Sequence, residues 1–352
     1  MEEVPREVAP ADGNPGDAHH EGRAVLRGTP QEDAGCSEVK PHPQVAVLLE
    51  AAARSPLPTL DKVAPFVARR LYAERCKVVT PKKTPETQTR VLLTPGGVIL
   101  RSYRPAAVAK TEPLPALVFF HGGGWTIGDL DTHDMLCREL AHAARCAVFS
   151  VEYRLAPESP FPAAVDDAVA ATEFVFKNAE SLKVHPDRIA VGGDSAGGNL
   201  AAVVALHARD AGGPPLCFQL LIYPATDQNL ETDSLARNGE GYLLTRPLME
   251  KFRSYYLPRP ADYADWRASP ALAKSHAGLP PAFVLTAGFD PLLDEGRQYV
   301  ELLARAGVEV AYRDYSDMIH GFILMGGVLE TANAAVADCC AALRRAFDKV
   351  TA

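Results

Sequence analysis

Four short stretches of this 352-residue chain hold residue types that could break an acyl bond. The first is Gly193-Asp194-Ser195-Ala196-Gly197, which follows the apolar run RIAVGG (188–193) and opens a helical stretch at 196–209. A serine between two glycines carries meaning where a strand turns sharply into a helix. Such a turn exposes the hydroxyl above a sheet. Strand and helix then pass too closely for side chains at 193 and 197, and the new helix aims its first amides at developing negative charge. The second stretch is His121-Gly122-Gly123-Gly124-Trp125, after the run ALVFF (116–120). Consecutive glycines let bare N–H groups face a pocket. A tetrahedral oxyanion needs such donors already in place, and Gly123, Gly124 and Ala196 could supply three of them. The loop has no Gly-Lys-Ser/Thr, which weakens a phosphate-binding alternative. His121 reads as a brace for the loop rather than a reacting group.

A serine nucleophile needs a base, and the base needs an orienting carboxylate. Asp290 stands just after the run PAFVLTAG (281–288), and His320 follows the run VEVAYRDY (308–315) and precedes a glycine. Parallel strands gather their C-terminal loops at one sheet edge, so both would meet Ser195 there, in the order Ser, Asp, His. The rivals are placed less well. Asp294 and Glu295 should begin the next helix, and no strand end positions Asp317. His133 and His142 fall on a helical stretch, and His185 and His276 in polar loops. Trp125, beside the glycine loop, is expected to wall a substrate pocket, to which Asp194 and Tyr223 are also assigned.

The elements that would position these residues follow from periodicity. The runs 116–120, 146–153, 188–193, 216–224, 281–288 and 308–315 read as strands, with helical stretches at about 132–145, 162–180, 196–209, 294–306 and 327–348. This alternation implies an α/β domain, a mainly parallel sheet with helices on both faces. Ahead of it, KVVT (77–80), 87–94 and 98–105 read as strands, with a Pro-Gly-Gly turn at 95–97. Residues 43–76 are helical in pattern; Thr59 is a candidate cap for the second helix, and Pro65 a candidate kink within it. Residues 227–278 are too long for a strand–helix connection and read as an insertion, which together with 41–76 would form a helical lid. The core would then be 77–226 and 279–352. Residues 1–40 are rich in Glu, Asp, Gly, Pro and Ala and read as a flexible tail; His19 and His20 within it read as solvated.

Composition narrows the function classes. Hydrophobic residues make up 47% and charged residues 23%, an ordinary globular balance. The net charge of -8 disfavours nucleic acid or an anionic membrane surface as the main partner. No apolar run approaches the ~20 residues of a membrane span, and the acidic start lacks the pattern of a secretory signal. Seven cysteines, without CxxC spacing, read as reduced and mostly buried thiols, which favours the cytoplasm. There is no HExxH and no suitably spaced His/Asp cluster, so no metal and no cofactor is expected.

With these residues in hand, the chain resembles the hormone-sensitive-lipase-like carboxylesterases (bacterial family IV type) of the α/β-hydrolase fold. The resemblance runs from about 43 to 348. It rests on HGGGW at 121–125, GDLDTHD at 128–134, YRLAPE at 153–158, GDSAG at 193–197, DPLLDEG at 290–296 and HGF at 320–322. It implies a triad of Ser195, Asp290 and His320, an oxyanion hole from the amides of Gly123, Gly124 and Ala196, and a helical cap. It also implies hydrolysis of short- to medium-chain acyl esters, with a small-molecule ester as the partner. Many members are dimers, so a homodimer is expected. Two alternatives share the scaffold. An amide or carbamate hydrolase would use the same triad. A non-catalytic small-ligand receptor, like the plant gibberellin receptors, would have lost the histidine that this chain keeps at 320.

Overall fold

A computed structural model describes residues 39–229 and 231–350. The tail expected at 1–40, with Cys36 and the two histidines at 19 and 20, lies outside the described residues up to position 38.

In chain order the elements are α1 (Pro43–Ala53), α2 (Pro65–Val79), β1 (Thr87–Leu93), β2 (Ile99–Pro105) and β3 (Leu114–Phe120). Next come α3 (Asp134–Ala144), β4 (Ala147–Glu152), α4 (Ala163–Lys177), α5 (Ala179–Leu182), β5 (Val184–Asp194) and α6 (Ala196–Ala211). Then follow β6 (Leu216–Ile222), α7 (Asp233–Asn238), α8 (Arg246–Tyr256), β7 (Ala282–Phe289), α9 (Leu293–Arg305), β8 (Val310–Ile319) and α10 (Glu330–Lys349). Among the described residues the strands form one sheet in the order β1-β2-β4-β3-β5-β6-β7-β8. The pairs β1–β2 and β2–β4 are antiparallel; all others are parallel.

This order explains why the expected loops meet. The chain leaves β3 for β4 on one side and returns to β5 on the other, so the direction of winding reverses at β3. The loops after β3 and β5 therefore flank the point where the winding reverses, the usual ligand position in such sheets. Strand β3 is covered on both faces, which is why it reads as an unbroken apolar run rather than an alternation. Ala116, Val118 and Phe120 enter one apolar cluster, with Ala168 of α4 and Leu200 of α6. Leu117 and Phe119 point the other way, against Leu140 of α3 and Leu343 of α10. The period of two along the strand divides the core between the two faces.

Three local expectations need correction. KVVT is not a strand: α2 continues to Val79, and the Thr80 amide donates to the Cys76 carbonyl at 3.0 Å. Two valines give too short a β-branched run to break a helix already propagating. Pro65 does not kink α2 but starts it, at a position whose missing N–H is not needed. Thr59 precedes a separate turn at Leu60–Lys62 and makes no side-chain cap. The insertion at 227–278 holds α7 and α8, capped by the hydroxyls of Thr232 and Thr245, which accept from the amides of Leu235 and Leu248. Among the described residues no helix is long and apolar enough to cross a membrane.

Candidate active site

Ser195 sits between β5 and α6 with φ 55° and ψ -117°, a conformation that costs a non-glycine residue about 1–3 kcal/mol. The neighbourhood holds it there. Its amide donates to the Ile222 carbonyl at 2.9 Å, and its carbonyl accepts from the Asn199 amide at 3.0 Å. The buried Asn199 side chain ties the same corner to the carbonyls of Ala225 and Ala268 at 2.9 and 2.8 Å. A β-carbon at Gly193 would overlap the backbone of Gly197 and Phe120, and one at Gly197 would overlap the Phe120 carbonyl. The two glycines are thus required by the close passage of strand and helix.

His320 directly follows β8, and Asp290 directly follows β7. The imidazole Nε2 lies 2.9 Å from the Ser195 hydroxyl, and Nδ1 lies 2.6 Å from Oδ2 of Asp290. The second carboxylate oxygen of Asp290 accepts from the Leu292 amide at 2.8 Å. The Asn238 amide group from α7 donates to the carbonyls of Gly288 and Asp290. Asp290 is fully buried and cannot trade these partners for water. A carboxylate on Nδ1 holds the proton at that nitrogen and leaves the Nε2 lone pair facing the serine. The Tyr223 ring, 4.6 Å from the imidazole between centroids, limits its rotation. Tyr223 is buried at φ 33°, with its amide on the Leu285 carbonyl at 2.6 Å.

Two of the rival acids are engaged elsewhere. Asp294 accepts from the Ser234 amide at 2.7 Å, and Glu295 from the Thr226 amide at 2.7 Å. Asp317 lies within β8, which runs on to Ile319, and its carbonyl accepts from the His42 amide. Burial pushes the Glu295 carboxyl up to about 8.

The glycine loop is shaped by its carbonyls. Gly122 O lies 2.8 Å from Nδ1 of His121, while Gly123 O accepts from the amides of Thr126 and Ile127 at 3.1 and 2.9 Å. A trans peptide sets its N–H opposite its carbonyl. The amides of Gly123 and Gly124 therefore face away from the loop's own turn. By the same rule the Ala196 amide faces away from the α6 ladder that takes the Ser195 carbonyl. Gly123 and Gly124 have φ of 120° and 56°, which explains why glycine is needed there.

Beneath this loop lies a buried polar cluster that sequence reasoning did not assemble. Asp194, expected in the substrate pocket, is 3% exposed and accepts from the Gly122 amide at 2.9 Å. Nε2 of His133 lies 3.2 Å from the same carboxylate oxygen. Burial alone would raise the Asp194 pKa, but the adjoining His133 outweighs it and holds the group below the usual carboxylate range. His133 stands at the residue before α3 rather than on a helix. Burial pushes His121 down to about 4, so it is a neutral ring, stacked on Tyr153 at 4.3 Å. The Tyr153 hydroxyl donates to the His121 carbonyl at 2.7 Å. The sequence signal was the run of polar residues in GDLDTHD, directly after a loop that needs bracing. Trp125, at φ 54°, stacks on Tyr256 of α8 at 4.4 Å.

Comparisons with known proteins identify the family and the fold. Residues 117–324 match a family described as having the alpha/beta hydrolase fold. Carboxylesterase NlhH of Mycobacterium tuberculosis is 47% identical over 252 residues, which is 70% of this chain and 78% of that protein. An ester hydrolase from the metagenome of Lake Arreo superposes with a TM-score of 0.83 at 42% identity, covering 87% of this chain and 99% of the other. A thermostable esterase from Pseudomonas putida gives 0.84 at 36% identity, covering 88% and 99%. The chain belongs to the α/β-hydrolase family, in its hormone-sensitive-lipase-like group.

Proposed function

We propose that this protein is a carboxylesterase that hydrolyses short- to medium-chain acyl esters, with Ser195 as nucleophile, His320 as general base and Asp290 as the orienting acid. The observation that carries this reading is the continuous contact from the Ser195 hydroxyl through His320 to buried Asp290, at 2.9 and 2.6 Å. The names of the relatives support the ester as substrate class. His320 takes the hydroxyl proton as Ser195 attacks the carbonyl carbon. The amides of Gly123, Gly124 and Ala196 hold the oxyanion. His320 then returns the proton to the leaving alcohol, and the acyl group stays on Ser195. Water, deprotonated by the same imidazole, releases the acid and restores the serine.

Residues 41–76 and the insertion at 227–278 act in this reading as a helical cap over the site. Trp125 and Tyr223 border the acyl site, and Asp194 braces the loop above it. A homodimer follows from the resemblance, and a cytoplasmic setting is favoured by the free, buried Cys76, Cys137, Cys146, Cys339 and Cys340.

The test is hydrolysis of p-nitrophenyl acetate, butyrate, octanoate and palmitate by wild type and Ser195→Ala. Turnover that peaks on the shorter esters and falls on the order of a million-fold in the variant supports the proposal. An unchanged rate in the variant ends it.

A further inference from the structure

The loop that holds Gly123 and Gly124 is also secured from above, by α2 and α8. Residues 124 to 127 each meet one of these helices. Gly124 lies so close under Phe252 of α8 that a β-carbon would overlap the ring. Trp125 stacks on Tyr256 at 4.4 Å with the planes 4° apart. Ile127 belongs to a small separate apolar cluster whose other buried members, Ala68, Leu248 and Phe252, all come from α2 and α8.

Thr126 is held by a charge. Arg69 of α2 donates Nε to the Thr126 carbonyl at 2.8 Å and Nη2 to the Ala156 carbonyl at 2.9 Å. The same guanidinium meets both carboxylate oxygens of Glu158, at 2.9 and 2.6 Å. The Ala156 amide donates back to the Trp125 carbonyl at 2.8 Å, which closes the link between the two core loops. Glu158 is well exposed, so that ion pair by itself adds little. Thr126 and Ala156 are buried at 1% and 0% exposure, and their carbonyls would lose a charged donor if Arg69 were removed.

We propose that Arg69 is a positioning residue for the oxyanion loop: its planar fork pins the Thr126 and Ala156 carbonyls to the cap, and so fixes the amides of Gly123 and Gly124. The docked cap thereby completes the catalytic geometry as well as covering the substrate. This rests on the reading of those two amides as oxyanion donors. The oxyanion exists only in the transition state, so a displaced loop slows turnover without weakening ground-state binding. Lysine cannot replace the fork, because one ammonium group cannot reach all of these acceptors in a fixed plane.

The test compares wild type, Arg69→Met, Arg69→Lys and Arg75→Met on p-nitrophenyl acetate and butyrate, with Ser195→Ala as the blank. Arg75 shares the helix but, among the described residues, donates to the Pro58 carbonyl within the cap, and its variant is expected to match wild type. A trifluoromethyl ketone of matching chain length, which forms a hemiketal oxyanion on Ser195, reports the hole. The product carboxylate, as a competitive inhibitor, reports ground-state binding. Folded Arg69→Met should lose kcat about 100-fold, the scale of a misplaced catalytic element, on both esters alike. Its KM and carboxylate inhibition should stay within about threefold, and ketone affinity should fall in step with kcat/KM. Arg69→Lys, the milder variant where the methionine fails to fold, should move in the same direction. A loss confined to KM, a loss that depends on acyl length, or unchanged kcat and ketone affinity in either variant overturns the proposal. A wild type without Ser195-dependent turnover would instead bring down the underlying esterase reading, and this inference with it.

Discussion

The α-carbon of Gly197 lies so close to the Phe120 carbonyl that a β-carbon would overlap it. The contact joins the first turn of α6 to the end of β3, and both elements are buried there. Gly197→Ala has no flexible side chain to displace, only backbone, and relief would drag the Ser195 turn out of place. We expect a loss of about 3 kcal/mol or more, the upper end for overpacking, together with loss of activity. Thermal unfolding beside wild type measures it, and a variant within about 0.5 kcal/mol would refute the required contact.

Asp290→Asn tests the orienting role separately from folding. The side chain keeps its shape, and its oxygen can still accept from the Leu292 amide. Its NH2 group would face Nδ1 of His320 and favour the tautomer with the proton on Nε2, where Ser195 needs a lone pair. In this protein kcat should fall about 10⁴-fold with KM nearly unchanged, as serine hydrolases of this design behave. Steady-state kinetics on a p-nitrophenyl ester decides it.

Much of this site was legible in the sequence for a topological reason. Each proposed catalytic residue follows a strand of the parallel sheet, and long apolar runs such as ALVFF mark those strands even without an alignment. Loop position then followed from chain direction alone. What was not legible depends on contacts between distant segments. KVVT carries strand-like residues, but its fate was decided by the helix already running from Pro65. Asp194 stands beside Ser195 in sequence, yet its burial depends on His133 and Gly122, which arrive from the far side of β3. Arg69 looks like any cation on an amphipathic helix until the fold sets Thr126 and Ala156 before it.

Glu295 gives a prediction about stability and pH. Burial raises its folded pKa to about 8, against an ordinary value of about 4.3. Between these values the folded state keeps a proton that the unfolded chain has lost. Stability from this group is therefore fully present at low pH and falls as pH rises through that window. Glu295→Gln removes the titration but keeps an oxygen for the Thr226 amide, which the carboxyl meets at 2.7 Å. The variant should gain on wild type steadily from about pH 4 to about pH 8, in proportion to the shift. Denaturant unfolding at several pH values measures the gap, and a constant gap would show that Glu295 ionises normally in the fold.

Asp194 should behave with the opposite sign. Burial opposes its charge, but His133 at 3.2 Å and the Gly122 amide at 2.9 Å hold its pKa below the ordinary value. Its stabilising contribution is present above the unfolded pKa of about 3.9 and is lost as pH falls through the folded value. Asp194→Asn retains an acceptor for Gly122 but not the charge opposite His133. At neutral pH the variant should be less stable by about 1.5–3 kcal/mol, the range for a hydrogen bond to a charged group, and this deficit should shrink as the pH drops below about 4. Because Gly122 begins the loop that carries Gly123 and Gly124, kcat should fall with stability, by about tenfold or more if one donor loses its aim. Unfolding curves and kinetics on the same preparation decide between two roles for the carboxylate. A stability deficit with full kcat would make Asp194 a brace for the fold alone. A fall in both would make it a support for the oxyanion loop.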